Sequence, residues 1–216
     1  CVLLGGETAE MPGMYGAGHY DLAGFGVGIV DRAKIMDGSG IVPGDIFIGV
    51  ASSGLHSNGY SLARKVLMEK AALALDKPLA DLGGETPGDV LLKPTHIYVR
   101  LAEALKSDAQ IKGIAHITGG GIPGNLNRIL PGAIDAEING EALKPWPAIF
   151  DLIRREGPVP MEDMLKTFNM GMGLILAASP DQAEAIHRTC LGLGYASREI
   201  GRAIQGSGKV KILDLQ

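Results

Sequence analysis

The sequence is poor in the features that mark secreted, membrane-spanning and nucleic-acid-binding proteins. It has two cysteines, Cys1 and Cys190, which form neither a disulfide framework nor a metal-site spacing, so a reducing compartment is favoured. No apolar run approaches the roughly 18 residues of a transmembrane helix, and no secretory leader is visible. The net charge is −4 with scattered basic residues, which argues against nucleic acid as a partner. We expect a cytoplasmic protein with small-molecule ligands and no membrane partner.

Glycine is abundant, with 32 residues that fall mainly at turns between apolar runs. Two glycine-rich turns, residues 52–60 and 116–121, each follow a strand-like run and precede a helix-like run. A strand that breaks on glycines and opens a helix directs unpaired N–H groups at one spot, as in phosphate-binding loops. A helix cap or a simple turn explains either one taken singly. The residues predicted to bind phosphate are Ser52, Ser53, Gly54, Ser57, Asn58, Thr118, Gly119, Gly120 and Gly121.

Two side chains near these glycines are suited to chemistry. Glu7 lies in a glycine-bounded turn, and one carboxylate suffices in principle for a magnesium ion that also binds phosphates. A solvated loop charge is the alternative for Glu7. His56 lies inside the first glycine-rich turn, where its ring could donate to an anion or transfer a proton.

The remaining histidines and one strand entry have less specific interpretations. We expect His116 to be a core or hinge residue within a strand, and His96 and His187 to be structural residues on helices. Residues 167–173 bring polar side chains to the start of a strand that carries two glycines at alternate positions. Those glycines permit close approach of a ligand, although tight sheet packing explains them almost as well.

Helix-like and strand-like segments intermix along the chain, which predicts an α/β or α+β fold with a mixed sheet covered by helices. A double turn after residue 36 divides a remnant of an amino-terminal domain, 1–36, from a carboxy-terminal α/β domain, 37–216. We expect residues 1–30 to seek a partner through an unpaired strand edge. The predicted strands are 1–4, 21–30, 45–51, 113–117, 133–138, 170–178, 195–202 and 209–213. The predicted helices are 58–71, 95–106, 122–130, 147–156, 160–166 and 180–193.

Six ordered motifs run along the chain: GGETAEMPG (5–13), YDLAGF (20–25), SSGLHSNGYSL (52–62), PTHIYV (94–99), HITGGG (116–121) and TFN (167–169). Taken jointly, they resemble one family, aminoimidazole ribonucleotide synthetase, also called phosphoribosylformylglycinamidine cyclo-ligase. The resemblance runs through nearly the whole chain and implies a carboxy-terminal portion of the enzyme. The family's amino-terminal part, which carries much of the ATP site and most of a dimer-forming barrel, would precede Cys1.

The resemblance implies an ATP-dependent ligase of purine biosynthesis, a homodimer that closes formylglycinamidine ribonucleotide to aminoimidazole ribonucleotide and releases ADP and phosphate. It implies ATP and Mg²⁺ as cofactors, with Glu7 at the metal. The two glycine-rich turns would face phosphates, with His56 as the acid–base residue. Such chemistry depends on positioning and charge neutralisation rather than on a nucleophile. The further cofactor-binding residues implied beside Glu7 are Gly5, Gly6 and Thr8.

Two alternatives stay open. The first is another ATP-dependent member of the same superfamily, which phosphorylates thiamine monophosphate, makes selenophosphate or dehydrates a carbamoyl group. The second is a non-catalytic chain that binds a phosphorylated ligand or a partner. For the isolated 216 residues we expect little cyclase activity, because the nucleotide half is not included.

Overall fold

The computed structural model describes residues 1–215, and the backbone divides into two units, Cys1–Ile35 and Met36–Gln216. Within Cys1–Ile35 the only regular element is a 3₁₀ turn at Arg32–Lys34. The strands predicted at 1–4 and 21–30 are therefore wrong. A strand needs a neighbouring backbone to pair its N–H and C=O groups, and the backbone hydrogen bonds within Cys1–Ile35 are three local turns, at residues 11–14, 16–19 and 31–34.

The second unit is built on a six-stranded mixed sheet in the order β2-β4-β1-β5-β3-β6, which confirms the predicted fold class. All neighbouring strands are antiparallel except the parallel pair β3 and β6. The six strands predicted for this unit all form, with ends that differ by up to three residues. The strands are β1 Ile46–Ala51, β2 Ile111–His116, β3 Ile134–Asn139, β4 Met172–Ala178, β5 Ser197–Gln205 and β6 Val210–Leu213.

Seven α-helices accompany this sheet, and six of them coincide with predicted segments. The exception is α2, which lies outside the predicted helices. Thr86 caps this helix by accepting the Asp89 N–H, and proline is favoured at the first helical position because it lacks an N–H. The helices are α1 Tyr60–Arg64, which continues as a π-helix over Lys65–Lys70, α2 Pro87–Leu91, α3 Val99–Asp108, α4 Gly121–Leu126, α5 Ala148–Glu156, α6 Met161–Thr167 and α7 Ala183–Gly192.

Strand β4 fixes where the two glycine-rich turns lie. It pairs antiparallel with β1 on one side and with β2 on the other, so β1 and β2 run parallel to each other. Their carboxyl ends therefore flank the amino end of β4. We call this end of the strands the loop edge. It comprises three segments: the first loop, residues 52–59, the second loop, residues 118–121, and the β4 entry, residues 167–171.

Apolar side chains bury both faces of the sheet. On one face, α3 and α7 cover β1, β2 and β4, with Leu101, Leu105 and Ile186 fully buried. On the other face, α4 packs Ile122 and Leu126 against the sheet. A third cluster joins α1, α5 and α6, and its Phe150 and Phe168 rings lie 5.6 Å apart. In residues 1–215, no helix is long and apolar enough to cross a membrane.

Gly121 is required by the packing of α4 on α6. Its φ is +60°, and a Cβ there would lie 1.7 Å from the Leu165 carbonyl oxygen. A Cβ added at Gly124, in the same helix, would have no neighbouring heavy atom within 4 Å. We predict that Gly121→Ala lowers the free energy of unfolding by about 3 kcal/mol or more, through strain and overpacking.

The matched control, Gly124→Ala, is expected to change that free energy by no more than about 1 kcal/mol. Urea denaturation of the two variants and the parent chain measures both effects. Equal unfolding midpoints for Gly121→Ala and Gly124→Ala would contradict the packing described here.

Candidate functional site

The two loops approach one another at the loop edge. A methyl group added at Gly119 in the second loop would stand 3.4 Å from Asn58 Oδ1 in the first loop. The β4 entry supports both loops, since Cβ atoms at Gly59 and Gly121 would meet the Phe168 ring and the Phe168 carbonyl oxygen. Three segments that are distant in the sequence thus share one site.

Asn169 connects the first loop to the β4 entry. Its side chain is 2% exposed, and its Nδ2 donates to the carbonyl oxygens of Gly54 at 2.8 Å and Leu55 at 3.2 Å. Its Oδ1 accepts from the Gly171 N–H at 2.8 Å and from Ser52 Oγ at 3.1 Å. One amide side chain therefore bonds to four polar groups, of which the Gly171 N–H and the Leu55 carbonyl oxygen belong to buried residues and have no other partner among the described residues.

Asn125 holds the second loop in the same manner. From the second turn of α4, its Nδ2 donates to the Gly121 carbonyl oxygen at 2.8 Å and approaches those of Thr118 and Gly119 at 3.3 Å. Its Oδ1 accepts from Thr118 Oγ1 at 3.2 Å. The loop carbonyls are thus turned towards Asn125.

Backbone N–H groups of both loops remain available to a ligand. Within residues 1–215, no hydrogen bond engages the N–H groups of Gly119 and Gly120, and both residues are exposed. No hydrogen bond in that range engages the N–H groups of Ser57, which is exposed, and Asn58, which is half-buried. Exposed N–H groups on two facing loops form a concave donor surface of the kind that binds anions.

The hydroxyl groups predicted as anion donors bond within the protein instead. Ser52 Oγ shares its one proton between the Gly54 carbonyl oxygen, at 2.9 Å, and Asn169 Oδ1, and Ser53 Oγ donates to the Pro94 carbonyl oxygen at 2.7 Å. Ser57 Oγ lies 3.0 Å from Thr95 Oγ1. These side chains order the first loop and attach it to the segment before α3, and their binding to a ligand stays a prediction.

His56 is buried, at 4% exposure, with φ at +60°. Its Nε2 accepts the Ser53 N–H at 3.1 Å, so in the neutral ring the proton lies on Nδ1, which has no hydrogen-bond partner in the part of the chain that the structure describes. Burial, with electrostatic repulsion from His96 and His116, lowers the pKa of His56 to about 4. The neutral ring holds the first loop, and an acid–base role for it stays a prediction.

A cluster of rings, which we call the aromatic shelf, borders the loop edge. Tyr98 lies centrally, with its ring centroid 5.3 to 6.3 Å from the other four rings of the shelf. Its hydroxyl donates to the Ala51 carbonyl oxygen at 2.8 Å, at the last residue of β1. Burial and Tyr195 raise the pKa of Tyr98, so the ring stays neutral. The shelf consists of His56, His96, Tyr98, His116 and Tyr195.

Two histidines of the shelf lie in positions that differ from those expected. His96 precedes α3 rather than lying on a helix, and His116 is exposed at the end of β2 rather than in the core. His187 does lie on α7, where its Nδ1 is 2.8 Å from Ser197 Oγ. Strand β2 pairs with β4 and is the outermost strand on that side of the sheet. No local pattern in the sequence reveals this position.

The four predicted residues of the first unit form no built site there. Gly5, Gly6, Glu7 and Thr8 are exposed and lie in a segment without helix or strand. Nowhere in residues 1–215 do three or more His, Cys, Asp or Glu side chains gather so as to hold a metal. The assignment of magnesium to Glu7 stays a prediction.

Sequence reasoning missed Asn125, Tyr98 and Tyr195. An asparagine four residues after a glycine-rich turn is a signal for Asn125, because such side chains bond to nearby backbone groups. The tyrosines carry no comparable signal, since their roles arise from contacts between distant segments.

Comparison with known proteins shows which family the chain resembles. Residues 42–213 match the family model described as AIR synthase related protein, C-terminal domain. The chain is 50% identical over 209 residues to phosphoribosylformylglycinamidine cyclo-ligase of Anaeromyxobacter sp. (strain Fw109-5), and 52% identical over 209 residues to that of Myxococcus xanthus (strain DK1622). In both comparisons 97% of this chain is covered, and the chain spans 60% of the relative's length.

The fold also occurs in a solved structure of lower identity. Thiamine-monophosphate kinase from Stenotrophomonas maltophilia K279a superposes with a TM-score of 0.58 at 21% identity. The superposition covers 85% of this chain and 54% of that one. At this identity the likeness establishes a shared fold alone.

The Asn169 network predicts a stability loss on truncation. Asn169→Ala leaves the buried Gly171 N–H and Leu55 carbonyl oxygen without their partner, so we expect the free energy of unfolding to fall by about 2 to 4 kcal/mol. Asn139→Ala is the matched control, because Asn139 is exposed and accepts from the Glu141 N–H at the end of β3. Denaturation measures stability, and amide hydrogen exchange measures the first loop. Unchanged exchange at residues 53–59 in Asn169→Ala would contradict the network.

The lowered pKa of His56 predicts a pH dependence. Below about pH 6.5 the unfolded chain binds a proton at His56 that the folded protein, with a pKa of about 4, does not bind. The free energy of unfolding should therefore fall by about 2 kcal/mol between pH 6.5 and pH 5 on account of this residue. Asparagine tolerates the same backbone conformation, so His56→Asn should lose that component, whereas His19→Asn, at an exposed position, should keep it. Identical slopes for His56→Asn and the parent chain would refute the assignment.

Proposed function

Since the chain belongs to the family of AIR synthase related proteins, we propose that it forms the carboxy-terminal part of an ATP-dependent cyclo-ligase. The reaction closes formylglycinamidine ribonucleotide to aminoimidazole ribonucleotide and releases ADP and phosphate, in purine biosynthesis. The observation that carries the proposal is the convergence of the first and second loops at one edge, each with unengaged N–H groups. The names of the relatives at about 50% identity support the choice of substrate.

The loops' contribution to this reaction is to position phosphates. Formation of an iminophosphate needs the acceptor oxygen, the phosphoryl group and the attacking nitrogen to be held in line. The N–H groups of Gly119, Gly120, Ser57 and Asn58 are fixed donors, because Asn125 and Asn169 hold the loops that carry them. Fixed donors stabilise charge in the transition state without reorganisation.

Magnesium and ATP complete the proposal. A hard divalent cation with bound phosphates takes few protein ligands, all of them oxygens, and the exposed Glu7 carboxylate fits that donor type. Such an ion neutralises phosphate charge when bound. Gly5, Gly6 and Thr8 would border the nucleotide beside it.

We further propose a cytoplasmic homodimer that forms through the first unit. Val2, Leu3, Leu4, Phe25 and Ile29 are between 80% and 100% exposed. Apolar side chains of this size and number are usually covered in a native assembly. Covering them with a second copy would remove this apolar surface from water.

The proposal predicts that the space between the loops is needed for activity. In the full-length enzyme that the proposal implies, Gly119→Ala should reduce kcat/KM at least tenfold, because the methyl group fills the approach to Asn58. Gly132→Ala should stay within about twofold of the parent, since a Cβ there meets nothing within 4 Å. ADP release with formylglycinamidine ribonucleotide and Mg-ATP is the measurement.

Thermal unfolding of both variants provides the folding control, and their midpoints should agree closely. The 216-residue chain, which spans about 60% of the relatives' length, should bind phosphate compounds without turnover. Full activity of Gly119→Ala would overturn the placement of the site, and ADP release that does not depend on the ribonucleotide would overturn the reaction.

A further inference from the structure

We propose that His116 is the ligand-facing histidine of the loop edge and accepts the proton released when the ring-closing C–N bond forms. This inference rests on the proposed function and deepens it. It starts from a contrast between two histidines of the aromatic shelf, His56 and His116, which border the same pair of loops but differ in burial and in hydrogen bonding.

His116 lies at the exposed carboxyl end of β2, on the face of the sheet that α3 and α7 cover. Its neighbours Ala115 and Ile117 are buried, at 4% and 0% exposure, against the side of the sheet that α4 covers. Side chains alternate along a strand, so His116 projects from the opposite side. It is exposed, and it precedes Thr118 and the unengaged N–H groups of Gly119 and Gly120 by only a few residues.

The ring of His116 is available for proton transfer. Neither of its nitrogens has a hydrogen-bond partner within residues 1–215, whereas His56 uses Nε2 for the Ser53 N–H. The titratable groups that face it are Tyr98, with ring centroids 6.3 Å apart, and His56, with which it interacts electrostatically. The Tyr98 hydroxyl donates to the Ala51 carbonyl oxygen, and this hydrogen bond holds the Tyr98 ring in place beside the His116 ring.

The proposed step balances without an added reactant. After ATP has phosphorylated the formyl oxygen, the amidine nitrogen attacks the formyl carbon, a C–N bond forms, and the C–O bond to phosphate breaks with its electron pair. The attacking nitrogen then carries one proton too many, and a neutral imidazole accepts it. An imidazole is suited to this exchange near neutral pH, and solvent removes the proton from an exposed ring.

Chemical footprinting tests whether His116 faces a ligand. Diethyl pyrocarbonate modifies accessible histidines, and mass spectrometry locates the products with and without ribose 5-phosphate as the probe. We expect His116 and His19 both to react in the free chain, and saturating probe to protect His116 at least fivefold while leaving His19 unchanged. His56 should react slowly throughout, because it is buried.

Amide chemical shifts of Gly119 and Gly120 report binding of the same probe independently. Shifts with protection of His116 support the inference. Shifts without protection overturn it and leave the proposed function standing. The absence of both shifts and protection overturns the phosphate site and, with it, the inference.

Kinetics separates proton transfer from a structural role. In the full-length enzyme, His116→Gln should lower kcat about 100-fold with KM for the ribonucleotide within threefold, and it should abolish the acidic limb of the pH–rate profile. His187→Gln, on α7 and outside the loop edge, is the control and should leave both parameters unchanged. An unaltered kcat, or a loss of kcat with the acidic limb retained, would overturn the role of His116.

Discussion

The candidate site depends on the position of β4 between β1 and β2. Antiparallel pairing on both sides brings the carboxyl ends of two parallel strands to the residues that precede β4. Asn169 then fixes the first loop to the β4 entry through three hydrogen bonds, and a fourth holds Asn169 to Gly171 within the entry. For the buried Leu55 carbonyl oxygen and Gly171 N–H, the bond matters more for the polar group it would leave unpaired than for its own strength.

The chemistry of the site is built from backbone rather than from charged side chains. The serine hydroxyls and the Thr118 hydroxyl are engaged within the protein, and His56 is held neutral by burial. What faces outward are the N–H groups of the two loops and the exposed ring of His116. A site of this kind positions phosphates through fixed dipoles, which suits a reaction that needs alignment more than a nucleophile.

Much of this arrangement could be predicted from the sequence, because its signals are local. Glycines at the ends of apolar runs located both loops, and the six strands of the second unit form where expected. The strands at 1–4 and 21–30 failed for a non-local reason: apolar residues alone do not make a strand without a neighbour to pair with.

The positions of the histidines also depend on contacts between distant segments and could not be predicted from local patterns. Whether His116 is buried depends on β4 pairing, and the contact between Asn169 and Gly54 joins residues 115 positions apart. Neither follows from spacing along the chain. The helix at Pro87–Leu91 was missed because proline and glycine are signals for turns as well as for helix starts.

The central claim is that the two loops jointly hold phosphate at the loop edge. A crystal structure of the chain grown with inorganic pyrophosphate tests it most directly. The account predicts an anion between Asn58 and Gly119, within hydrogen-bond distance of N–H groups from both loops. An anion bound elsewhere on the chain, with neither loop in contact with it, would contradict the account.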